Sequence, residues 1–263
     1  MSSIENKVVV ITGASGGLGA HLAMDVAKRK GIPVLLARRE EQLKIVQDTI
    51  FQETGVKAPY YALDVSKQEN VQGVFQRVFI DLKEIHILVN NAGFGVFEEF
   101  AEADWQTVES MFSTNVLGLM ACTQAVLPYM LQKGSGHIIN IASQAGKIST
   151  PKSSVYAATK HAVLGFSNGL RLEVAHKGVV VTTVNPGPIA TDFFTLADQS
   201  GNYVKNIQKF MLQPSHVSKK VVEAMEHPVR ELNLPWWMNA GSTLYQLMPR
   251  VVETLGGKSF RQK

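Results

Sequence analysis

Apolar positions in this chain follow two alternating patterns. Short runs at residues 7–12, 33–37, 59–63, 85–90, 136–142 and 179–185 are apolar almost throughout and rich in Val and Ile. Such runs suit parallel strands covered on both faces. Between them, at residues 18–30, 40–54, 70–83, 104–133, 155–176 and 217–227, apolar residues recur at helical spacing; Leu22 and Val26 share one face of the first. A seventh strand is expected near 232–236. Strands alternating with helices in this way form βαβ units with right-handed crossovers. The pattern predicts an α/β fold: one doubly wound domain over residues 1–263, with a parallel sheet of about seven strands and helices on both faces.

Two stretches break the rhythm. Residues 190–215 are polar and irregular around an apolar pair, Phe193 and Phe194. They read as a loop that shapes a ligand cleft or as a packed connector. The tail, about 235–263, is apolar and aromatic, with Trp236, Trp237, Met238 and Tyr245. Pocket wall, oligomer interface and plain core are all open readings of it.

The chemistry begins at the end of the first strand, which runs into Thr12-Gly13-Ala14-Ser15-Gly16-Gly17-Leu18-Gly19 and then a helix. Glycines let the backbone turn tightly and approach a pyrophosphate, and the helix N-terminus supplies unpaired N–H groups. That context makes a Rossmann-type dinucleotide site, with Gly13, Ser15, Gly16, Gly17, Leu18 and Gly19 around the phosphates. The second strand ends in Ala37-Arg38-Arg39. A site for NAD places an acidic residue there to accept the ribose 2′-hydroxyl. Ala37 lacks that carboxylate, and guanidinium forks suit a 2′-phosphate. NADP(H) is therefore expected over NAD(H), with Arg38 the better candidate, Arg39 beside it and Ser15 adding a hydroxyl.

Further along stand Asn90-Asn91-Ala92-Gly93, then Asn115, then Ser143 after the fifth strand, then Tyr156-Ala157-Ala158-Thr159-Lys160, then Pro186-Gly187 and Thr191. Tyr156 and Lys160 lie four apart, on one face of a helix. A tyrosine that works near neutral pH needs its pKa lowered by about three units from about 10, about 4 kcal/mol. One ammonium at about 4 Å supplies that much at an effective dielectric near 20. Ser143 offers a hydroxyl to a substrate oxygen that gains negative charge.

Composition narrows the setting. Hydrophobic residues at 45% and charged residues at 18% argue for a large core and against disorder. The net charge of +4 comes without a Lys/Arg run, so no nucleic-acid partner is expected. The seven histidines show no metal-ligand spacing, so no metal site is expected. The one cysteine, Cys122, sits in an apolar stretch and reads as inert; it fits a reducing compartment. No secretion-signal pattern opens the sequence, and no apolar run approaches the length of a membrane span, so the cytoplasm is expected.

The TGxxxGxG loop, NNAG, Asn115, Ser143 and YxxxK, in this order, resemble the short-chain dehydrogenase/reductase family between residues 7 and about 191. The resemblance implies an NADP(H)-dependent oxidoreductase that moves a hydride between nicotinamide and a carbonyl/alcohol substrate; Phe193–Phe194 and Trp236–Trp237 hint at an apolar one. Catalysis then rests on Asn115, Ser143, Tyr156 and Lys160, with Tyr156 as general acid/base. Lys160 also binds the nicotinamide ribose, and Asn115 holds a water in a proton relay. Asp64 and Val65 lie at the adenine, Asn91, Ala92 and Gly93 along the adenosine ribose and pyrophosphate, and Pro186, Gly187, Ile189 and Thr191 at the nicotinamide. Many NADP-binding members carry a basic residue where this chain has Gly16. The helix after Tyr156 often pairs with a second subunit in this family, which implies a homodimer or homotetramer. The alternative is a non-catalytic NADP(H)-binding sensor on the same fold; an intact Asn115/Ser143/Tyr156/Lys160 set favours the enzyme.

Overall fold

The seven strands are Val8–Thr12 (β1), Ile32–Ala37 (β2), Tyr60–Ala62 (β3), Ile87–Asn90 (β4), Gly136–Ile141 (β5), Val179–Pro186 (β6) and Glu231–Leu234 (β7). They form one parallel sheet in the order β3-β2-β1-β4-β5-β6-β7. The order reverses between β1 and β4, and a crevice opens there at the carboxyl ends of the strands, as such sheets require. The computed structural model describes residues 3–198, 205 and 207–260. Residues 199–204 and 206 of the expected 190–215 loop, and 261–263 of the expected tail, lie outside the described residues.

Strand residues alternate between the two faces, and each face has its own helices. Val9 and Ile11 of β1 pack with Leu22 and Val26 of α1 (Gly17–Lys28), Leu43 and Ile50 of α2 (Glu40–Thr54) and Val217 and Val221 of the helix Pro214–Glu226. Val8 and Val10 face the other way. They join Val71 and Phe75 of α3 (Gln68–Leu82), and Cys122, Val126 and Met130 of the helix Leu119–Lys133. Each fully buried Val or Leu in these layers contributes about 1.5–3 kcal/mol. Cys122 is buried, which pushes its thiol pKa up to about 12 and leaves it inert at neutral pH.

The stretch 104–133 is not one regular helix. It is α4 (Trp105–Phe112), a π turn at Ser113–Gly118, and α5 (Leu119–Lys133). Asn115 sits in the π turn, a conformation that often marks functional sites in helices. The run Trp105–Lys133 does have the length and hydropathy of a membrane span, which corrects the expectation that no stretch approached one. Its apolar residues are explained by the fold, because Val108, Met111, Leu119, Cys122, Val126 and Met130 are buried against other elements.

After α6 (Ser154–Glu173) and β6, the expected loop contains α7 (Phe193–Ala197) and is pinned where Ala190 N–H donates to Leu212 O and Leu212 N–H to Pro188 O. The helix Pro214–Glu226 (α8) follows. The tail forms α9 (Trp236–Leu247) and α10 (Pro249–Phe260).

Candidate active site

The loop after β1 shows why glycine is needed at two positions. Gly13 has φ +68°, and a Cβ there would stand 2.9 Å from Ala92 Cα. A Cβ on Gly19 would stand 2.3 Å from Gly13 O, so that residue lets α1 pack against its own approach loop. α1 begins without a side-chain cap, which leaves its first N–H groups to a ligand.

The 90–93 segment is stitched to this loop. Thr12 Oγ1 accepts from Asn91 N–H and Ala92 N–H, both at 3.0 Å, and Asn91 Nδ2 donates to Thr12 O at 2.9 Å. Asn90 points the other way, into the core, where Nδ2 donates to Thr123 Oγ1 and Asn140 Oδ1.

At the end of β2, Arg39 Nη2 donates to Ser15 Oγ at 3.3 Å and lies 4.0 Å from where a Gly16 side chain would begin. Arg38 lines the same cleft, while the contact to the loop belongs to Arg39. Both side chains are exposed. Asp64 turns its carboxylate onto Ser66, accepting from that residue's N–H and Oγ.

Three strands from β2, at the end of β5, stand the candidate catalytic groups. Strands lie about 4.8 Å apart, so the two ends of the cleft are about 14 Å apart. Ser143 Oγ accepts from Ala145 N–H at 3.0 Å, capping the short turn Gln144–Gly146. Tyr156 and Lys160 share a face of α6, with Lys160 Nζ 5.7 Å from the Tyr156 ring centroid. Lys160 is buried, and Nζ donates to Ile141 O at 2.9 Å. Burial pushes its pKa down to about 8. At neutral pH it is therefore an ammonium beside a phenol, the arrangement that favours phenolate formation. The Asn115 side chain is a clamp. Its Oδ1 accepts from Phe94 N–H at 2.9 Å, and its Nδ2 donates to Phe94 O at 2.7 Å and to Thr159 Oγ1 at 3.2 Å.

One cleft of about 1010 Å³ takes in Gly13, Ser15, Gly16, Gly17, Leu18, Arg38, Arg39, Asp64, Val65, Asn91, Ala92, Gly93, Ser143, Tyr156, Lys160, Pro186, Gly187, Ile189 and Thr191. Of the residues singled out in sequence, Gly19, Asn115, Trp236 and Tyr245 do not line it. The same cleft contains Phe94, Phe97, Ile148, Phe193, Phe194, Leu196, Trp237 and Met238. Phe193, Phe194, Trp237 and Met238 carried an aromatic or apolar signal in the sequence; Phe94, Phe97, Ile148 and Leu196 carried none.

Behind Ser143 a polar network joins this turn to the tail. Lys147 Nζ donates to Glu231 Oε2 (2.6 Å), Asn233 Oδ1 (2.9 Å) and Asn239 Oδ1 (2.8 Å). Burial opposes ionisation of Glu231, but Lys147, with Asn233 and Arg230, outweighs it and holds the carboxyl below its ordinary range.

The chain matches the family model for short chain dehydrogenases over residues 7–200. An NADP-dependent 3-hydroxy acid dehydrogenase of Schizosaccharomyces pombe is 31% identical, over 86% of this chain and 89% of that one. The structure of a short-chain dehydrogenase from Sphingobium yanoikuyae in complex with NADPH aligns with TM-score 0.80 and 28% identity, covering 93% of this chain and 96% of that one. One from Burkholderia phymatum in complex with NAD aligns with TM-score 0.87, covering 95% and 96%; at 24% identity it speaks for the fold.

Proposed function

The chain belongs to the short-chain dehydrogenase/reductase family, and from that membership we propose that it is an NADP(H)-dependent oxidoreductase acting on a carbonyl/alcohol pair. The observation that carries this reading is a single cleft with an arginine-bearing phosphate end and a Ser143/Tyr156/Lys160 end.

The residues fit the cofactor. Gly13 and Gly19 let the loop lie close against residues 91–92 and the start of α1, and that uncapped start lines the cleft through Gly17 and Leu18. Arg39 and Arg38 hold the 2′-phosphate, with Ser15 Oγ beside it. Lys160 holds the nicotinamide ribose, and Pro186, Gly187, Ile189 and Thr191 flank the ring. Bound there in its reduced form, the nicotinamide supplies a hydride to the carbonyl carbon. Ser143 Oγ donates a hydrogen bond to the carbonyl oxygen, stabilising the charge that develops on it. Tyr156 passes its phenolic proton to that oxygen, giving the alcohol, and the Lys160 ammonium stabilises the phenolate left behind. Asn115 keeps residues 93–94 and Thr159 in register with this group.

The same reading makes the protein a cytoplasmic homodimer or homotetramer. A single buried Cys122 supports a reducing compartment. On α6, Gly165 and Gly169 have open space where a side chain would stand, and Leu172, on the same helical face, is 76% exposed. Purified protein should oxidise NADPH with a ketone or aldehyde from a broad panel, and Tyr156→Phe should abolish it. A panel without turnover, or turnover untouched by that substitution, rejects the reading.

A further inference from the structure

The geometry points to a substrate class: an uncharged ketone or alcohol bearing an aromatic or comparably bulky apolar group, with anionic substrates excluded. This rests on the carbonyl/alcohol reading above.

The walls around Tyr156 are rings. Phe97 and Phe193 have centroids 5.8 and 5.6 Å from that of Tyr156. Phe193 and Phe194 lie 5.3 Å apart, nearly perpendicular. These are the spacings and tilts at which aromatic edges meet faces, and an aromatic guest extends the same packing. On the other side, Met238 Sδ lies over Gly187, 2.7 Å from where a Cβ would stand, and Trp237 lines the cleft beside it.

Several polar side chains of this end are bonded to other protein groups. Thr150 Oγ1 and Ser153 Oγ pair at 2.8 Å. Gln144 Nε2 donates to Asn185 O at 2.9 Å, and its Oε1 accepts from Ser242 Oγ. Ser143 Oγ, which accepts from Ala145 N–H and donates weakly to Pro186 O, lines the cleft with Tyr156.

The charges decide the rest. Among the described residues, the charged ones lining this end are Lys160 and Asp192. Lys160 is only 7% exposed and its Nζ is bonded to Ile141 O, whereas Asp192 is exposed and anionic. A carboxylate or phosphate on the substrate would lose its water and meet Asp192, with no Arg among the described residues lining this end to pair with it. The Schizosaccharomyces pombe relative is named for a 3-hydroxy acid; this cleft is built for a substrate without the acid.

The test uses one ketone skeleton in two charge states, methyl 4-acetylbenzoate and 4-acetylbenzoate, with the full chain. Binding is read as quenching of Trp237 fluorescence with NADP+ present, using Trp237→Phe to show that the signal comes from the cleft. Turnover is read separately with NADPH. The expected result is dissociation at least tenfold tighter for the ester, weakened at least tenfold by Phe193→Ala. Equal or tighter binding of the acid, or no binding of either compound, overturns the inference. Ester binding without turnover supports the substrate class and counts against the redox reading.

Discussion

The two ends of the cleft recognise by different physics. At one end Arg38, Arg39 and Ser15 present exposed charge and a hydroxyl, seated on the ends of two neighbouring strands. At the other, Phe97, Phe193, Phe194 and Trp237 present rings, brought together from three distant segments. Charge suits a group that is the same in every turnover, because a phosphate can be fixed by a fork of donors. Ring packing suits a group selected by bulk. Between them, Ser143, Tyr156 and Lys160 stand where the two ends meet.

The sharpest way to break this comparison is to remove the chemistry and keep both ends. Tyr156→Phe should lower kcat by about two orders of magnitude or more while NADPH affinity stays near wild type. Unchanged turnover would remove Tyr156 from the mechanism.

Burial at the chemical end has a pH signature. The pKa of Lys160 in the folded protein is about 8, against 10.5 ordinarily, so the unfolded chain binds more protons between those values. Stability of the cofactor-free protein should therefore rise as pH goes from 8 to 10.5, by up to about 3 kcal/mol from this group. Denaturant unfolding of wild type beside Lys160→Met isolates the effect; parallel pH curves would show that the lysine is not held that way.

The tail is anchored to the Ser143 turn by Lys147, whose side chain is 12% exposed. Lys147→Met leaves the Glu231 carboxylate without its cation and should cost about 2 kcal/mol of stability. It should also raise KM for apolar ketones and leave NADPH affinity alone. An equal loss at both ends would mean that they are not independent.

The smallest effect sharpens the charged end. Arg39→Ala should weaken NADPH by about tenfold, one charge-assisted contact, and leave NADH unchanged. An equal loss for both cofactors would assign Arg39 to loop packing through Ser15.

The contrast between the ends also explains what could be read in advance. The sheet was legible because parallel strands buried on both faces need continuous apolar runs, as in β1, Val8–Thr12. The cofactor end was legible because its residues stand at strand ends, contiguous in sequence, as Thr12 to Gly19 do. Asn115 was visible as a motif, but its clamp on Phe94 spans 21 residues and a π turn that helical periodicity does not announce. Phe97 carried no signal at all. It reaches the cleft because its N–H donates to Ala197 O, a contact across 100 residues. That Arg39 meets Ser15 was hidden for a similar reason, since only side-chain direction decides which guanidinium reaches that hydroxyl.

The most direct test of the account is the pair of dissociation constants for NADPH and NADH, titrated at equal ionic strength into the wild-type protein. In the proposed function Arg38, Arg39 and Ser15 are the groups for the 2′-phosphate, and Ala37 offers no carboxylate to a 2′-hydroxyl. The account predicts NADPH tighter by at least about tenfold, with the advantage shrinking as salt is added. Equal affinities, or tighter NADH, would contradict it.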